Sequence, residues 1–146
     1  MKILIIDENP FDLITLEKVF KGKGSIVKTK NHQEGLTLIK EAYVAQSPYD
    51  LIFLSTTLPT QDGISLLKEI RTFEDSKGIA MHTRSRFIMI TDLIDLVKVA
   101  ESFHYLCDAY LTRPLGEEQL HRKLDFLYND GYSPKKTTST KHKIRE

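Results

Sequence analysis

Short, wholly apolar runs recur along this chain, and they constrain its fold more than any other feature. The four clearest runs are ILII at residues 3–6, LIFL at 51–54, FIMI at 87–90 and the weaker AYL at 109–111. Runs this short and this apolar are typical of strands covered on both faces, as in a parallel sheet between helices. A fifth run, SIVKT at residues 25–29, alternates in polarity and therefore suits an edge strand.

Amphipathic segments lie between these runs, so strand and helix alternate five times. Asn9 followed by Pro10 is a typical helix start, and we predict that the first helix has an inward face made of Phe11, Ile14, Val19 and Phe20. The polar segment 74–85 is predicted to be an irregular surface loop. Further helices are predicted to begin at Asn31 and after Gly63, and to cover residues 93–103 and 117–128. Right-handed crossovers between such elements give a three-layer sandwich.

Length and charge restrict the classes of function. A chain of 146 residues suits one domain, and we predict a folded domain over residues 1–130 and a basic polar tail over residues 131–146. Residues 132–146 carry five basic and one acidic side chain, which leaves 16 basic and 19 acidic side chains in residues 1–131. A mildly acidic body is a poor match for nucleic acid. No apolar stretch approaches the ~20 residues that span a bilayer, and the lone Cys107 fits a reducing cytoplasm.

Polar side chains follow the predicted strands at the ends where parallel strands meet. They are Asp7 and Glu8 after the first strand, Ser55 at the third, Thr91 and Asp92 at the fourth, and Arg113 and Pro114 after the fifth. Open α/β sheets build their sites at this carboxyl edge. Charged groups gathered in a half-buried cleft are costly unless they are paired. The order of these residues therefore predicts a functional site at the carboxyl edge of the sheet.

With these residues the chain resembles the response-regulator receiver domains of bacterial two-component signalling, over about residues 1–130. The resemblance rests on IIDEN at the first strand, LPTQDG after the third, MITD at the fourth and DAYLTRP at the fifth. It implies an α/β fold: a single doubly wound, five-stranded parallel sheet in the order 2-1-3-4-5, the flavodoxin-like receiver fold with helices on both faces. It also implies a cis peptide bond between Arg113 and Pro114.

The resemblance further implies roles for individual residues. In a working receiver, an aspartate at the end of the third strand accepts a phosphoryl group from a histidine kinase, while an acidic pair and a main-chain carbonyl hold Mg²⁺. Matched by position, the acidic pair is Asp7 and Glu8, and the carbonyl belongs to Thr57. The hydroxyl that grips the phosphoryl group is that of Thr91, and the aromatic switch position is Tyr110.

Three departures from the family pattern affect the reaction centre. Ser55 occupies the acceptor position, where an aspartate with a pKa near ~3.9 would be anionic at pH 7 but a serine hydroxyl needs a nearby base. Arg113 replaces the family's lysine with a planar fork of donors. Asp92 stands beside Thr91, where the family usually has a small residue, and would repel a phosphoryl group. Any Mg²⁺ binding is expected to be weak, because the metal loses an anionic ligand.

The predicted function is that of a pseudo-receiver, a module of phosphorelay signalling that is not an enzyme and acts by protein–protein contact without phosphorylation. We predict that Asp7, Glu8 and also Asp92 need a counter-charge, which Arg113 supplies by bridging carboxylates in place of a metal, with no cofactor required. The expected partner is another signalling protein, such as a histidine kinase or an output protein, or a second copy of the chain. The expected contact face consists of the predicted fourth helix, fifth strand and fifth helix. Neither nucleic acid nor a membrane is an expected partner.

Two alternatives differ in chemistry. One is an active phosphorelay receiver that uses a non-standard acceptor, namely Asp62, Asp92 or Ser55 itself. The other is a flavin or nucleotide binder on a similar sheet. That alternative lacks support, because DENPFD follows the first strand and places acids where a glycine-rich phosphate loop would be needed.

Overall fold

Five parallel strands form a single sheet in the order β2-β1-β3-β4-β5. The computed structural model describes residues 1–56, 63–92, 97 and 106–128. The strands are β1 (Lys2–Ile6), β2 (Ser25–Thr29), β3 (Leu51–Ser55), β4 (Arg86–Thr91) and β5 (Ala109–Thr112). The predicted doubly wound order is therefore confirmed, with the alternating strand β2 at one edge and β5 at the other.

The helices of the described ranges are α1 (Pro10–Phe20), α2 (His32–Val44), α3 (Gly63–Ser76) and α4 (Glu117–Tyr128), with a short 3₁₀ turn at Met81–Thr83. Helix α4 is the one that the sequence predicts as the fifth. The predicted fourth helix lies outside the described residues apart from Val97, and so does the basic tail. Among the described residues, no helix is long and apolar enough to cross a membrane.

The apolar runs of the strands are buried because helices cover both faces of the sheet. On one face, the packed side chains include Leu4, Ile6, Ile52 and Leu54 with Leu36, Ile39, Leu67 and Ile70 of α2 and α3. On the other face, they include Ile3, Ile5, Leu51 and Phe53 with Leu16, Val19, Phe20 and Leu120 of α1 and α4. Successive strand residues thus enter different cores, which explains why both faces of each central strand are apolar.

Helix α1 buries only part of the predicted stripe, because Val19 and Phe20 are buried as predicted and the other two residues are not. Phe11 and Ile14 are 77% and 62% exposed, so the prediction that they face inward is wrong. The buried residues of α1 are Asp12, Leu16, Val19 and Phe20. Their spacing is helical, but the stripe begins with a carboxylate and therefore does not read as an apolar face in the sequence. A buried carboxylate requires a partner, and in this fold the partner lies in the candidate site.

The segment 74–85, predicted to be an irregular surface loop, is partly helical and partly buried. Helix α3 continues into it, and Glu74 has no exposed surface. The Arg71 guanidinium donates to the Glu74 carboxylate at 2.8 Å and to the Leu106 carbonyl at 2.8 Å. The Tyr43 hydroxyl also donates to Glu74. The loop prediction failed because Tyr43 and Leu106, which complete this network, come from elements distant in sequence.

Candidate functional site

The carboxyl ends of β1, β3, β4 and β5 bring polar side chains together at one edge of the sheet. Asp7, Ser55 and Thr91 are at most 1% exposed. The side chain of Arg113, which follows β5, is 14% exposed. The arrangement follows from parallel strands that all end in small polar or charged residues at the same edge. The structure therefore forms one half-closed polar cluster from residues on four strands.

Arg113 lies at the centre of this cluster. Its Nε donates to Asp12 Oδ2 at 2.8 Å, and its Nη2 donates to Ser55 Oγ at 3.0 Å and to Asp7 Oδ1 at 3.4 Å. Its Nη1 lies 3.5 Å from Asp92 Oδ1. A guanidinium carries five N–H donors in one plane, so a single side chain can contact three carboxylates and a hydroxyl.

Glu8 is the predicted site residue that lies apart from the cluster, because it is exposed. The cap of α1 is Asn9, as predicted, whose Oδ1 accepts from the main-chain N–H groups of Phe11 and Asp12 at 2.9 and 3.1 Å. The predicted bridge from Arg113 therefore forms with Asp7, and the second buried carboxylate comes from Asp12 rather than from Glu8.

Asp12 is the site residue that sequence reasoning missed. It precedes Leu16, Val19 and Phe20 by four, seven and eight positions, the spacing of one helical face. An acid at that position of an otherwise apolar stripe is the signal that could have identified it, because a buried carboxylate must find a cation or donors. The cation is Arg113, 101 positions away along the chain.

Asp7 has an unusual protonation equilibrium. Burial raises its pKa to about 7, as does a hydrogen bond to the Asp12 carboxyl that only the protonated form makes. The Asn9 main-chain N–H, which donates to Asp7 Oδ1 at 3.0 Å, and the Arg113 guanidinium act in the opposite direction. Asp7 Oδ2 is buried and accepts no hydrogen bond from a described residue. A proton on Oδ2 would allow Asp7 to donate a hydrogen bond to the Asp12 carboxylate.

The carboxylates hold Arg113 in its charged form. Burial alone would lower the pKa of its guanidinium, but Asp12, then Asp7 and Asp92, raise that pKa above its ordinary value. The cluster thus consists of one cation and up to three anions, with the cation supplied by the protein itself.

The hydroxyl groups of the site are also engaged. Thr91 Oγ1 donates to the Asp92 carbonyl at 3.2 Å, and Thr56 Oγ1 donates to Thr91 Oγ1 at 3.4 Å. Thr57, the predicted source of a metal-binding carbonyl, lies outside the described residues, as does Asp62.

Gly63 packs against the end of β3 at the start of α3. A Cβ at this position would lie 2.2 Å from the Ser55 carbonyl oxygen and 2.8 Å from Thr56 Cα. Close approach of two backbones therefore requires glycine here, rather than a special turn conformation. This contact fixes the position of the Ser55 backbone relative to α3.

The face formed by β5 and α4 carries the predicted switch position. A surface depression of about 340 Å³ is lined by Tyr110, Thr112, Gln119, Arg122, Lys123 and Phe126. The ammonium group of Lys123 lies 5.3 Å from the centre of the Tyr110 ring, within range of a cation–π contact. The Arg113–Pro114 peptide bond that follows β5 is cis, as the resemblance implies.

The donor set at the edge is poorly matched to Mg²⁺, which prefers an octahedral set of hard oxygen ligands. Asp7 Oδ1 already accepts from Asn9 and faces the Arg113 guanidinium. Ser55 supplies a neutral hydroxyl that also accepts from Arg113. Within the described ranges, no group of three or more His, Cys, Asp or Glu side chains is arranged to hold a metal ion. These residues fit a guanidinium better than a divalent cation.

The sheet order and the polar edge define a doubly wound α/β domain of the flavodoxin-like type, with its site at the carboxyl ends of the strands. The model of the response regulator receiver domain matches residues 3–125, and the chain belongs to this family. Receiver domains are modules of two-component signalling that contact other signalling proteins, and members of the family bind Mg²⁺.

Individual relatives agree with this assignment. The chain is 28% identical over 131 residues to the chemotaxis protein CheY-3 of Vibrio cholerae, an alignment that covers 88% of this chain and 92% of that protein. A receiver domain structure from Clostridium thermocellum has a TM-score of 0.70 at 20% identity, over 89% of this chain and 95% of that one. The CheX–CheY–BeF3–Mg complex from Borrelia burgdorferi has a TM-score of 0.68 at 23% identity, over 84% and 85%. At these identities the two structures support the fold alone.

Proposed function

We propose that this chain is a pseudo-receiver, a receiver module that signals by protein–protein contact and does not depend on phosphorylation. The main support is the contact of Arg113 with Ser55 and Asp7 at 3.0 and 3.4 Å. A guanidinium there offsets part of the negative charge of the site and contacts the side chain at the acceptor position. The site therefore contains its own counter-charge without a metal or a phosphoryl group.

The chemistry of Ser55 supports the same proposal. Its hydroxyl accepts a hydrogen bond from Arg113, and a neighbouring cation does not act as the general base that a serine nucleophile requires. Asp7, with a pKa of about 7, is the nearby group with a titration near neutrality, but its Oδ1 is directed to Arg113 and the Asn9 N–H. Mg²⁺ binding is expected to be weak for the same reason, because the site already contains a cation.

A phosphodonor experiment tests this proposal. The protein is incubated with acetyl phosphate and Mg²⁺, in parallel with a receiver that has its acceptor aspartate, and both are measured by intact mass spectrometry. We expect a gain of one phosphoryl group in the control and none in this chain. A stoichiometric gain here would contradict the proposal, and peptide mapping would then identify Asp92, Asp62 or Ser55 as the acceptor of an active phosphorelay receiver.

The partner surface in this proposal is the face of β5 and α4. Tyr110 and Phe126 supply apolar surface around the depression, and Arg122 and Lys123 supply positive charge. A partner with an apolar centre and acidic rim fits these groups. The candidates are a histidine kinase, an output protein or a second copy of the chain.

Matched surface variants test this face. Phe126→Asp changes an exposed residue of the face, and Phe11→Asp changes an exposed residue of α1 outside it. We expect the first variant to lose the partner captured by the natural chain, or its self-association in sedimentation experiments, and the second to keep it. Equal binding by both variants would contradict the choice of this face.

A further inference from the structure

Asp12 makes the best-formed contact that Arg113 has. The Nε to Oδ2 distance is 2.8 Å, whereas the ionic contacts of Arg113 with Asp7 and Asp92 are 3.4 and 3.5 Å long. The Asp12 side chain is only 3% exposed, so water does not compete strongly for its oxygens. The short, buried contact is the one that anchors the guanidinium.

The atom that Asp12 binds determines what the rest of the guanidinium can do. Nε is joined directly to the aliphatic stem, so its hydrogen bond fixes the orientation of the whole planar group. With the plane fixed, Nη2 is directed at Ser55 and Asp7, and Nη1 at Asp92. Asp12 therefore acts on the acceptor position through Arg113.

We propose that Asp12 is the positioning residue that makes this site selective for the Arg113 guanidinium over a divalent cation. The inference rests on the proposed function and extends it, because it identifies which residue disfavours metal binding at the site. Loss of the acceptor aspartate is then only one of two barriers to receiver chemistry. The second barrier is an internal cation held in position from α1.

Restoring an acceptor carboxylate at position 55 allows the effects of these two barriers to be distinguished. Ser55→Asp places a carboxylate beside Arg113 Nη2, which lies 3.0 Å from Ser55 Oγ. Arg113 would pair with this new carboxylate as it pairs with Asp7, so the restored acceptor alone would gain little metal affinity. Adding Asp12→Asn keeps the side-chain shape, removes the charge that anchors Nε and frees the guanidinium to leave the metal ligands.

Mn²⁺ binding tests this reasoning, because Mn²⁺ takes the same hard ligands and its free ion is measured directly by electron paramagnetic resonance. We expect Ser55→Asp/Asp12→Asn to bind Mn²⁺ at least tenfold more tightly than Ser55→Asp. The direction is diagnostic, since removing a carboxylate ordinarily weakens cation binding. The matched control is Ser55→Asp/Glu17→Gln, which removes an exposed acid of the same helix and should bind no more tightly than Ser55→Asp.

The Arg113 Nε–H resonance in the proton–nitrogen NMR spectrum gives a second readout in the unmodified site. We expect a slowly exchanging signal, assigned by its loss in Arg113→Lys, that exchanges at least tenfold faster in Asp12→Asn and is partly restored in Asp12→Glu. Equal or weaker Mn²⁺ binding in the Asp12→Asn double variant, or an unchanged Nε–H exchange rate in Asp12→Asn, would overturn the proposal. Neither result depends on the phosphodonor experiment, so failure of the proposed function is recognised separately.

Discussion

Replacing Arg113 with methionine removes the positive charge of the site and keeps most of the aliphatic stem, so it isolates the electrostatic contribution of the cluster. Asp7 and Asp12 are 1% and 2% exposed and would lose their cation. Breaking a buried ion pair from one side costs ~3–5 kcal/mol. Because the Arg113 side chain keeps 14% exposure, water screens part of the interaction, and we expect a loss of about 2–4 kcal/mol at pH 8.

The loss should depend on pH in a defined direction. The pKa of Asp7, raised to about 7 in the folded protein, is lowered in part by Arg113, so the Arg113→Met variant should have a still higher pKa at Asp7. In the folded variant the Asp7 carboxyl would keep its proton to a higher pH than in the unfolded chain, so the stability of the variant would fall as pH rises. The destabilisation relative to the natural protein should therefore be smaller at pH 5 than at pH 8.

Urea unfolding followed by far-ultraviolet circular dichroism measures both effects. With a slope of about 2 kcal/mol per molar urea, the midpoint at pH 8 should fall by about 1–2 M. Arg122→Met is the matched control, since its ion pair with Glu118 lies between side chains that are 68% and 86% exposed and should contribute less than ~0.5 kcal/mol. A loss at Arg113 no larger than at Arg122, or one that grows toward pH 5, would refute the account of the cluster.

Two further substitutions test the surroundings of the site. The stability advantage of Asp7→Asn over the natural protein should grow by about 2–3 kcal/mol from pH 5 to pH 8, because a carboxyl with a folded pKa of about 7 destabilises the fold increasingly as the pH rises above its ordinary pKa of 3.8. A difference that stays flat across this range in urea titrations would contradict the raised pKa. Gly63→Ala should cost about 2–3 kcal/mol in thermal unfolding, because its Cβ would meet the Ser55 carbonyl oxygen at 2.2 Å. The control is Gly116→Ala, which should change stability little because nothing lies within 4 Å of its Cβ. Similar effects at both glycines would show that β3 and α3 relax apart.

The positions of the strands and the helix starts were accessible from the sequence because their causes are local, whereas the strand order came from the family resemblance. Apolar runs such as residues 51–54 contain no polar residue to face water, so they require cover on both sides. Asn9 and Asn31 cap α1 and α2 through hydrogen bonds to groups two or three residues away. Such short-range hydrogen bonds do not depend on the rest of the fold, so the sequence predicts them directly. The helix predicted over residues 117–128 likewise has those bounds in the structure.

The start of the inward face of α1 and the order within residues 74–85 could not be deduced in this way. Phe11 is an apolar residue at the start of a helix, and only the position of α4 and the sheet decides that Asp12 turns inward instead. Glu74 is buried beside Arg71 of α3 and Tyr43 of α2, and Arg71 also donates to the Leu106 carbonyl on the approach to β5.

By itself the sequence determined the layers of this protein, the edge at which its site forms and the serine at the acceptor position. Only the tertiary structure decided how the charges of that site are compensated, with Asp12 rather than Glu8 as the anchor of Arg113. The physical reason is that burial removes the water that would otherwise stabilise each charge separately. The resulting energies then depend on distances between residues 101 positions apart, which no local pattern encodes.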